Sequence, residues 1–241
     1  MRITIFNGSS YGSNSNTHRM AEAFAKGAIE TGAEAEEIFL MQKHISPCRA
    51  CFNCWFATPG QCIIKDDTAE LLDKIRSSDM VVFASPLYID NVSGIMKNFM
   101  DRLVPLLDAH YKVDARGECY HPPRKKPMPG FAVISNCAFS ETNHFQVLKL
   151  LFRRMARNFS TKLVAEIYLA SGSYLDSTAP KFRPRIDKYK EMLRLAGKEI
   201  AQKGRLSKKT SAGLQTSLLK QKEFVSRMNR YFDKLLSRAR K

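Results

Sequence analysis

Short apolar runs alternate with amphipathic stretches along the first 200 residues of the chain. The apolar runs are bounded by turn-forming residues and have the length and composition of buried β-strands. The predicted strands are residues 3–7, 35–40, 80–84, 131–135 and 162–170. Each is followed by a stretch with helical spacing. The predicted helices are residues 17–31, 66–76, 92–107, 142–158 and 185–203. This alternation predicts an α/β domain in which a five-stranded parallel sheet is covered by helices on both faces.

Two segments fall outside this alternation. Residues 108–129 form a polar, proline-rich insertion without clear periodicity. Beyond Gly204, a polar linker leads to a last basic helix predicted over residues 214–238. Its apolar positions are Leu218, Val225, Met228, Phe232, Leu235 and Leu236. We therefore divide the chain into a main domain, residues 1–203, and a basic helical extension, residues 204–241.

The positive charge is concentrated in the C-terminal quarter. Residues 181–241 contain 19 basic and 5 acidic side chains, which supply +14 of the net charge of +16. Such a segment could bind nucleic acid, anionic lipid or an acidic protein. It has no recognisable readout motif or interleaved aromatic platform, so nucleic acid is not the expected partner. A solvated helix face or an oligomer contact is the favoured interpretation.

Length and composition limit the class of protein. The 241 residues, 44% of them hydrophobic, suffice for one large α/β core. No stretch approaches the roughly 20 apolar residues of a membrane span, and the N-terminus lacks a signal-peptide pattern. We expect a cytoplasmic protein, and in that reducing compartment clustered cysteines are metal ligands or redox thiols more often than disulfides.

The turn between the first strand and the first helix is rich in hydroxyl and amide side chains. Residues 8–17 read Gly-Ser-Ser-Tyr-Gly-Ser-Asn-Ser-Asn-Thr. The amides and dipole of a helix start favour a phosphate. The turn contains no lysine and matches neither the triphosphate loop nor the dinucleotide fingerprint. It suits a phosphate monoester that stays bound, as in FMN; a long capping turn, with Ser15 or Asn16 as the cap, is the alternative.

Four cysteines follow the second predicted strand in the spacing C-x2-C-x2-C-x7-C. They are Cys48, Cys51, Cys54 and Cys62. The first three can converge on a small inorganic core, and this compact spacing is typical of iron–sulfur ligation. Tetrahedral zinc or a redox disulfide is chemically allowed. The loop could instead be an active-site lid that carries free thiols.

Three ordered motifs resemble one family. They are Gly8-Ser9 with Ser15-Asn16-Thr17, then Ser85-Pro86-Leu87-Tyr88, then the pattern G-x-x-K-x-x-x-D-R over residues 94–102. Together they are similar to the NADPH-dependent FMN reductase-like branch of the flavodoxin superfamily. The cysteine spacing narrows the resemblance to the iron–sulfur flavoproteins within that branch. The resemblance covers about residues 1–203 and implies a flavodoxin-like, doubly wound sheet with strand order 2-1-3-4-5.

The resemblance also implies roles for individual residues. The FMN phosphate would be held by Ser9, Ser15, Asn16 and Thr17, with Tyr11 nearby. The isoalloxazine ring would be bordered by Pro86, Leu87 and Tyr88, whose backbone amides reach its polar edge; Asn91 and Asn136 are further candidates. The four cysteines would hold a [4Fe–4S] cluster close to the flavin. No catalytic side chain is expected, because the flavin carries the chemistry.

The leading functional hypothesis is an FMN-dependent oxidoreductase. It would take electrons from NAD(P)H or a ferredoxin and pass them to a quinone, a flavin or a redox protein. A non-catalytic flavodoxin-type electron carrier, or an FMN reductase with free thiols and no cluster, is the alternative. The resemblance further implies a homodimer or homotetramer, and the unpartnered apolar stripe of the last helix suggests that this helix contributes to the assembly.

Overall fold

The protein is described by a computed structural model that covers residues 1–125 and 127–239. Lys126 belongs to the predicted insertion and lies outside the described residues. Arg240 and Lys241, at the end of the predicted extension, also lie outside them.

A six-stranded parallel sheet forms the centre of the fold, in the order β2-β1-β3-β6-β7-β8. The strands are β1 (Arg2–Asn7), β2 (Glu34–Phe39), β3 (Met80–Pro86), β4 (Lys112–Val113), β5 (Cys119–Tyr120), β6 (Gly130–Asn136), β7 (Leu163–Ala170) and β8 (Gln215–Ser217). Strands β4 and β5 form a separate antiparallel hairpin inside the insertion. The helices are α1 (Asn16–Ile29), α2 (Asn53–Phe56), α3 (Thr68–Ser77), α4 (Gly94–Asp101), α5 (Gln146–Asn158), α6 (Arg183–Lys203), α7 (Lys208–Leu214) and α8 (Gln221–Ala239).

Each face of the sheet has its own apolar core. On one face, α1 and α6 cover alternate strand residues such as Val82 and Ile134. On the other face, α3, α4 and α5 cover the intervening residues, such as Val81 and Phe83. Because both faces are covered, the central strand β3 is buried along its whole length and its sequence is a continuous apolar run. The predicted α/β fold with a parallel sheet is confirmed.

The predicted five-strand count is wrong, because β8 adds a sixth strand beside β7. Thr216 pairs with Leu169 and Ser217 with Ala170. The sequence predicts a polar linker and then a helix from residue 214, but α7 and β8 precede the last helix, which begins at Gln221. Strand β8 has only three polar residues, too few to show a two-residue period. The sheet and its covering layers therefore extend beyond residue 203.

Two other predicted helices are shorter than expected. The helix predicted over residues 92–107 begins at Gly94, with Ser93 as its cap, and ends at Asp101. A separate 3-10 turn follows at Val104–Leu106, where Pro105 has no N–H to continue an α-helical ladder. The helix predicted from residue 142 begins as a 3-10 turn and becomes α-helical at Gln146.

Candidate functional site

The carboxyl ends of β1, β3 and β6 are adjacent in the sheet. At this edge, the loop after β1 is held by hydrogen bonds between its own residues and the start of α1. Ser15 caps α1: its Oγ accepts a hydrogen bond from the N–H of His18 at 3.0 Å and donates to the carbonyl of Gly12 at 2.7 Å. Ser15 thus has the capping role that the alternative interpretation of this turn gave it, and its predicted contact with a phosphate stays a prediction. The amides of Asn16 and Thr17, in the first turn of α1, have no intrahelical acceptor and can bind an anion.

A half-buried carboxylate, Glu37 on β2, supports this loop. Glu37 accepts a hydrogen bond from Asn7 Nδ2 at 2.7 Å and lies 2.8 Å from His18 Nδ1, while Asn7 Oδ1 accepts from the N–H of Ser9 at 2.8 Å. Burial raises the pKa of the Glu37 carboxyl, although its bonds to Asn7 and His18 oppose the shift. The pairing of Asn7 with Glu37 was not predicted from the sequence. The features that could have indicated it are an amide residue at the end of β1 and an acidic residue within β2.

The loop after β1, the predicted phosphate loop of residues 8–15, is held against the start of α4. Ser93 Oγ donates to the carbonyl of Gly8 at 2.5 Å and accepts from the N–H of Met96 at 3.2 Å, so one hydroxyl caps α4 and fixes the loop. A Cβ atom at Gly8 would lie 2.7 Å from Met96 Cβ and 3.0 Å from Ser93 Oγ. Only glycine permits this close approach.

The loop after β3 uses two of the amides that were predicted to face the flavin. The N–H of Leu87 donates to the carbonyl of Asn136 at 2.9 Å. The N–H of Tyr88 donates to the carbonyl of Asn91 at 2.9 Å, and the N–H of Asn91 returns a bond to Tyr88 at 3.0 Å. The amides of Leu87 and Tyr88 are therefore satisfied inside the protein, contrary to the prediction that they reach the ring.

The tip of the same loop presents different amides. Ile89 and Asp90 have φ angles of 46° and 56°, in the left-handed region that a β-branched residue rarely adopts. The Ile89 side chain is 98% exposed, so burial does not compensate for this strain. Among residues 1–125 and 127–239, no acceptor receives the N–H of either residue. Strain of this kind is concentrated at ligand-binding turns.

The loop after β6 joins the other two. Asn136 Nδ2 donates to Thr17 Oγ1 at 3.0 Å, and both residues are buried. Burial raises the pKa of the Cys137 thiol to about 11, which keeps it neutral. Ser140 Oγ is buried and has no hydrogen-bond partner among the described residues. An orphaned hydroxyl in this position is available to a ligand.

Three exposed aromatic rings complete the site, one from each loop. Tyr11 is 71% exposed, Tyr88 45% and Phe139 51%. The structure therefore combines neutral donors at a helix start, free amides at a strained turn and exposed aromatic surface. This donor set fits a monophosphate joined to a flat, hydrogen-bonding ring system, as in FMN.

The four predicted metal ligands line one cavity of about 390 Å³. Cys48 and Cys51 are exposed, Cys54 and Cys62 are half-buried, and none of the four forms a disulfide with another described cysteine. Burial, and then the negative charge of the other three sulfurs, raises the pKa of Cys54, so the four groups interact. In the part of the chain that the structure describes, no three Cys, His, Asp or Glu side chains are grouped to hold a metal ion.

The cysteine loop is tightly shaped. Ala50 and Phe52, which lie between the first three cysteines, have φ angles of 50° and 55°. Hydrogen bonds from the backbone and side chain of Asn53 lower the pKa of the Cys51 thiol. Arg102 donates to Cys62 Sγ at 3.3 Å. Four thiols around a cavity, with a cationic donor to one sulfur, fit an iron–sulfur cluster, whose sulfurs accept such bonds.

A buried ion pair anchors this loop to the end of α4. Arg102 binds both oxygens of Asp66, at 2.7 and 3.1 Å, and the two side chains are 1% and 0% exposed. Arg102 also donates to the carbonyl of Ser46 at 2.6 Å. Burial raises the pKa of Asp66, but the bonds from Arg102, Ser46 and Thr68 outweigh it and hold the pKa far below its usual range.

The cysteine cavity and the loop after β1 adjoin opposite ends of α4. Ser93, before α4, contacts Gly8 in the loop after β1, whereas Arg102, after α4, contacts Cys62. The helical rise places these two residues roughly 13 Å apart. That the sulfurs lie close to the flavin stays a prediction.

Known proteins resemble both the sequence and the fold. An iron–sulfur flavoprotein of Archaeoglobus fulgidus is 37% identical over 90 residues, which are 37% of this chain and 40% of that protein. An iron–sulfur flavoprotein of Methanosarcina thermophila is 32% identical over 106 residues, 44% of this chain and 54% of that protein. The chain thus spans about half the length of the curated relatives it matches.

A solved structure matches over a longer part of the chain. The FMN-dependent NADH-azoreductase of Bacillus anthracis, determined in complex with FMN, superposes with a TM-score of 0.60 and 15% identity, covering 83% of this chain and 99% of that one. At this identity the likeness concerns the fold. The sequence model of the NADPH-dependent FMN reductases matches residues 1–170, which include all three loops and the cysteines. On that match, this protein belongs to the NADPH-dependent FMN reductase family.

Proposed function

We propose that the protein is an FMN-dependent oxidoreductase that transfers electrons from NAD(P)H or a ferredoxin to a small acceptor such as a quinone or a flavin, or to a redox protein. The observation that carries the proposal is the joining of three loops into one site. Ser93 binds the carbonyl of Gly8, and Asn136 binds both Thr17 and Leu87. A site connected in this way is organised before its ligand arrives.

Each loop would make a different contact with FMN. The amides of Asn16 and Thr17 would bind the phosphate. Because Thr17 Oγ1 accepts from Asn136, its hydroxyl hydrogen is free to be donated to a phosphate oxygen. The amides of Ile89 and Asp90 would donate hydrogen bonds to the polar edge of the isoalloxazine ring. When bound, FMN supplies hydride acceptance and one-electron transfer; the protein supplies position and exclusion of water.

We further propose that the cysteine cavity binds a [4Fe–4S] cluster. Four interacting thiols, a guanidinium donor at one sulfur and two curated relatives named iron–sulfur flavoproteins support this assignment. Because the cavity and the loop after β1 lie at opposite ends of α4, we propose that electrons pass between the cluster of one subunit and the flavin of another, in a homodimer or homotetramer.

Thr17→Val tests the flavin site directly. The substitution keeps the side-chain shape and removes the hydroxyl that faces the phosphate. A hydrogen bond to a charged group contributes about 1.5–3 kcal/mol, so we expect FMN affinity to fall by about 10- to 100-fold. Quenching of FMN fluorescence measures the affinity, and NAD(P)H oxidation with a soluble quinone measures the activity.

Thr31→Val is the matched control. Thr31 lies just beyond the opposite end of α1, where its hydroxyl donates to the carbonyl of Ala28. This variant should bind FMN like the unaltered protein. If all three proteins bound FMN with equal affinity, Thr17 would not contribute to FMN binding. If the unaltered protein does not bind FMN at all, the proposed function itself fails.

Gly8→Val tests the contact between the phosphate loop and α4. Overpacking of this kind costs about 1–3 kcal/mol, and the loop can relieve it only by moving away from Met96. FMN would have to reverse that movement, so we expect a loss of affinity of up to about 150-fold. Fluorescence titration with FMN measures the loss. Gly94→Ala is the control, since a Cβ there meets nothing within 4 Å; equal losses in the two variants would contradict the argument.

A further inference from the structure

The last helix, α8, is only half attached to the rest of the protein. Near its start, Phe224 packs against the core under α1 and α6, and Tyr174 contacts the sulfur of Met228 at 3.7 Å. From residue 231 to residue 239, every position is exposed. The second half of the helix therefore projects beyond the body of the protein.

One side of α8 is apolar. From residue 222 to residue 239, at about 100° per residue, the apolar side chains occupy an uninterrupted arc of about 140°; Gln221, the first residue of the helix, falls at the same angle as Ala239. The members of this arc are Phe224, Val225, Met228, Tyr231, Phe232, Leu235, Leu236 and Ala239. Val225, Tyr231, Phe232, Leu235 and Leu236 are each 41–57% exposed. Bulky apolar groups at this exposure indicate a surface that another apolar phase covers.

A basic flank adjoins one edge of this arc. It consists of Arg227, Arg230, Lys234 and Arg238. Arg227 is paired with Glu223, but Arg230, Lys234 and Arg238 form no ion pair within the described residues. The whole helix has five basic and two acidic side chains. This imbalance favours an anionic partner.

We propose that α8 binds the surface of an anionic lipid membrane. Its apolar arc would enter the boundary between headgroups and acyl chains, and the basic flank would contact lipid phosphates, as in amphipathic helices that lie in the interface. No helix among the described residues has the length and apolarity to cross a bilayer, so the contact is peripheral. The proposal does not depend on the flavin site.

Charge distinguishes this partner from two others. A second copy of the helix, packed antiparallel through the same arc, would bring two basic flanks together at one edge of the contact, which is unfavourable. A nucleic acid would satisfy the basic flank but would leave the broad aliphatic arc exposed to water. A membrane that contains anionic lipid satisfies both features.

Co-sedimentation of the full chain with vesicles tests the proposal. We expect binding to vesicles made of equal parts phosphatidylcholine and phosphatidylglycerol, and little binding to phosphatidylcholine alone. The double variant Phe232→Ser/Leu236→Ser should bind the anionic vesicles at least about 20-fold more weakly, because two side chains no longer enter the apolar phase. Lys234→Gln/Arg238→Gln should lose a similar factor and much of the dependence on salt.

Val147→Ser/Leu150→Ser is the matched control on α5, where the two side chains are 48% and 64% exposed. It should bind vesicles like the unaltered chain. The proposal is overturned if the anionic vesicles do not retain the protein, or if the α8 variant and the α5 control bind equally. It is also overturned if the Phe232→Ser/Leu236→Ser variant has half the mass of the unaltered protein in light scattering without lipid, since the arc would then be a contact between copies.

Discussion

Arg102→Met should lower the free energy of unfolding by about 3–5 kcal/mol, the usual effect of removing one partner of a buried ion pair. Methionine fills a similar volume, so the loss arises from charge rather than from a cavity. Asp66 would remain buried without its bidentate partner, and the carbonyl of Ser46 would lose its 2.6 Å donor. Urea denaturation followed by circular dichroism measures the change.

Lys97→Met provides the comparison within the same helix. Lys97 binds Asp101 at 2.6 Å, but their side chains are 51% and 49% exposed. A surface pair of this kind contributes about 0.2–1 kcal/mol. If both variants lost the same small amount, the Arg102–Asp66 pair would not anchor the cysteine loop in the way its burial indicates.

The contribution of Asp66 depends on pH in a defined direction. Its pKa is lower in the folded protein than in the unfolded chain, where the carboxyl has a pKa of about 3.9. The stabilisation is therefore complete above the unfolded value and is lost as the pH falls towards the folded value. The difference in stability between the unaltered protein and Arg102→Met should shrink in acid and stay constant from pH 6 to 8.

Features that depend on periodicity and local turn chemistry were accessible from the sequence. Strands β1 and β3 are largely apolar runs, and Ser15 caps α1, as the alternative interpretation of the turn expected. The neutral turn after β1 could be recognised because its residue types are concentrated in ten consecutive positions. Thr17 and Asn136 were both named as site residues from the resemblance, and the structure joins them by a hydrogen bond.

Features that depend on contacts distant in sequence were not accessible. Glu37 meets Asn7 across a strand pair, and Asp66 meets Arg102 across 36 residues. An amide and an acid on neighbouring strands are too common to predict the first pairing, and the second leaves no pattern in the sequence. The strained turn at Ile89 was also missed, because a β-branched residue argues against a left-handed backbone. Strand β8 was missed because its three polar residues show no period of their own; the apolar side chains buried around it are Leu214, Leu218 and Leu219.

Arg102 illustrates how a motif can be recognised while its role is not. The pattern over residues 94–102 resembles a family helix, but it gives no separate role to each of its charged residues, Lys97, Asp101 and Arg102. In the structure, Lys97 and Asp101 form an ordinary surface pair, whereas Arg102 is buried and reaches Asp66, Ser46 and Cys62. Lys97, Asp101 and Arg102 differ in burial, and the sequence pattern does not show that difference.

Cys54→Ser should abolish iron binding by the chain. A [4Fe–4S] cluster that is held by four cysteines depends on all four thiolates, so we expect iron to fall from about four atoms per chain to less than one when the protein is purified without oxygen. Cys54 is the sharpest choice, because it is half-buried and its pKa responds to each of the other three sulfurs. Iron and sulfide analysis, with the absorption spectrum, measures the loss.

Cys119→Ser is the control, since Cys119 is exposed in the insertion and does not line the cavity. It should retain both iron and FMN. If the unaltered protein binds FMN and oxidises NAD(P)H but contains no iron, the loop carries free thiols and the cluster proposal fails while the flavin proposal stands.

A raised thiol pKa at Cys54 also means that protons must leave before a metal binds. Reconstitution with iron and sulfide should therefore be more complete at pH 8.5 than at pH 6.5, and a yield independent of pH would show that the thiols of this cavity are not the ligands.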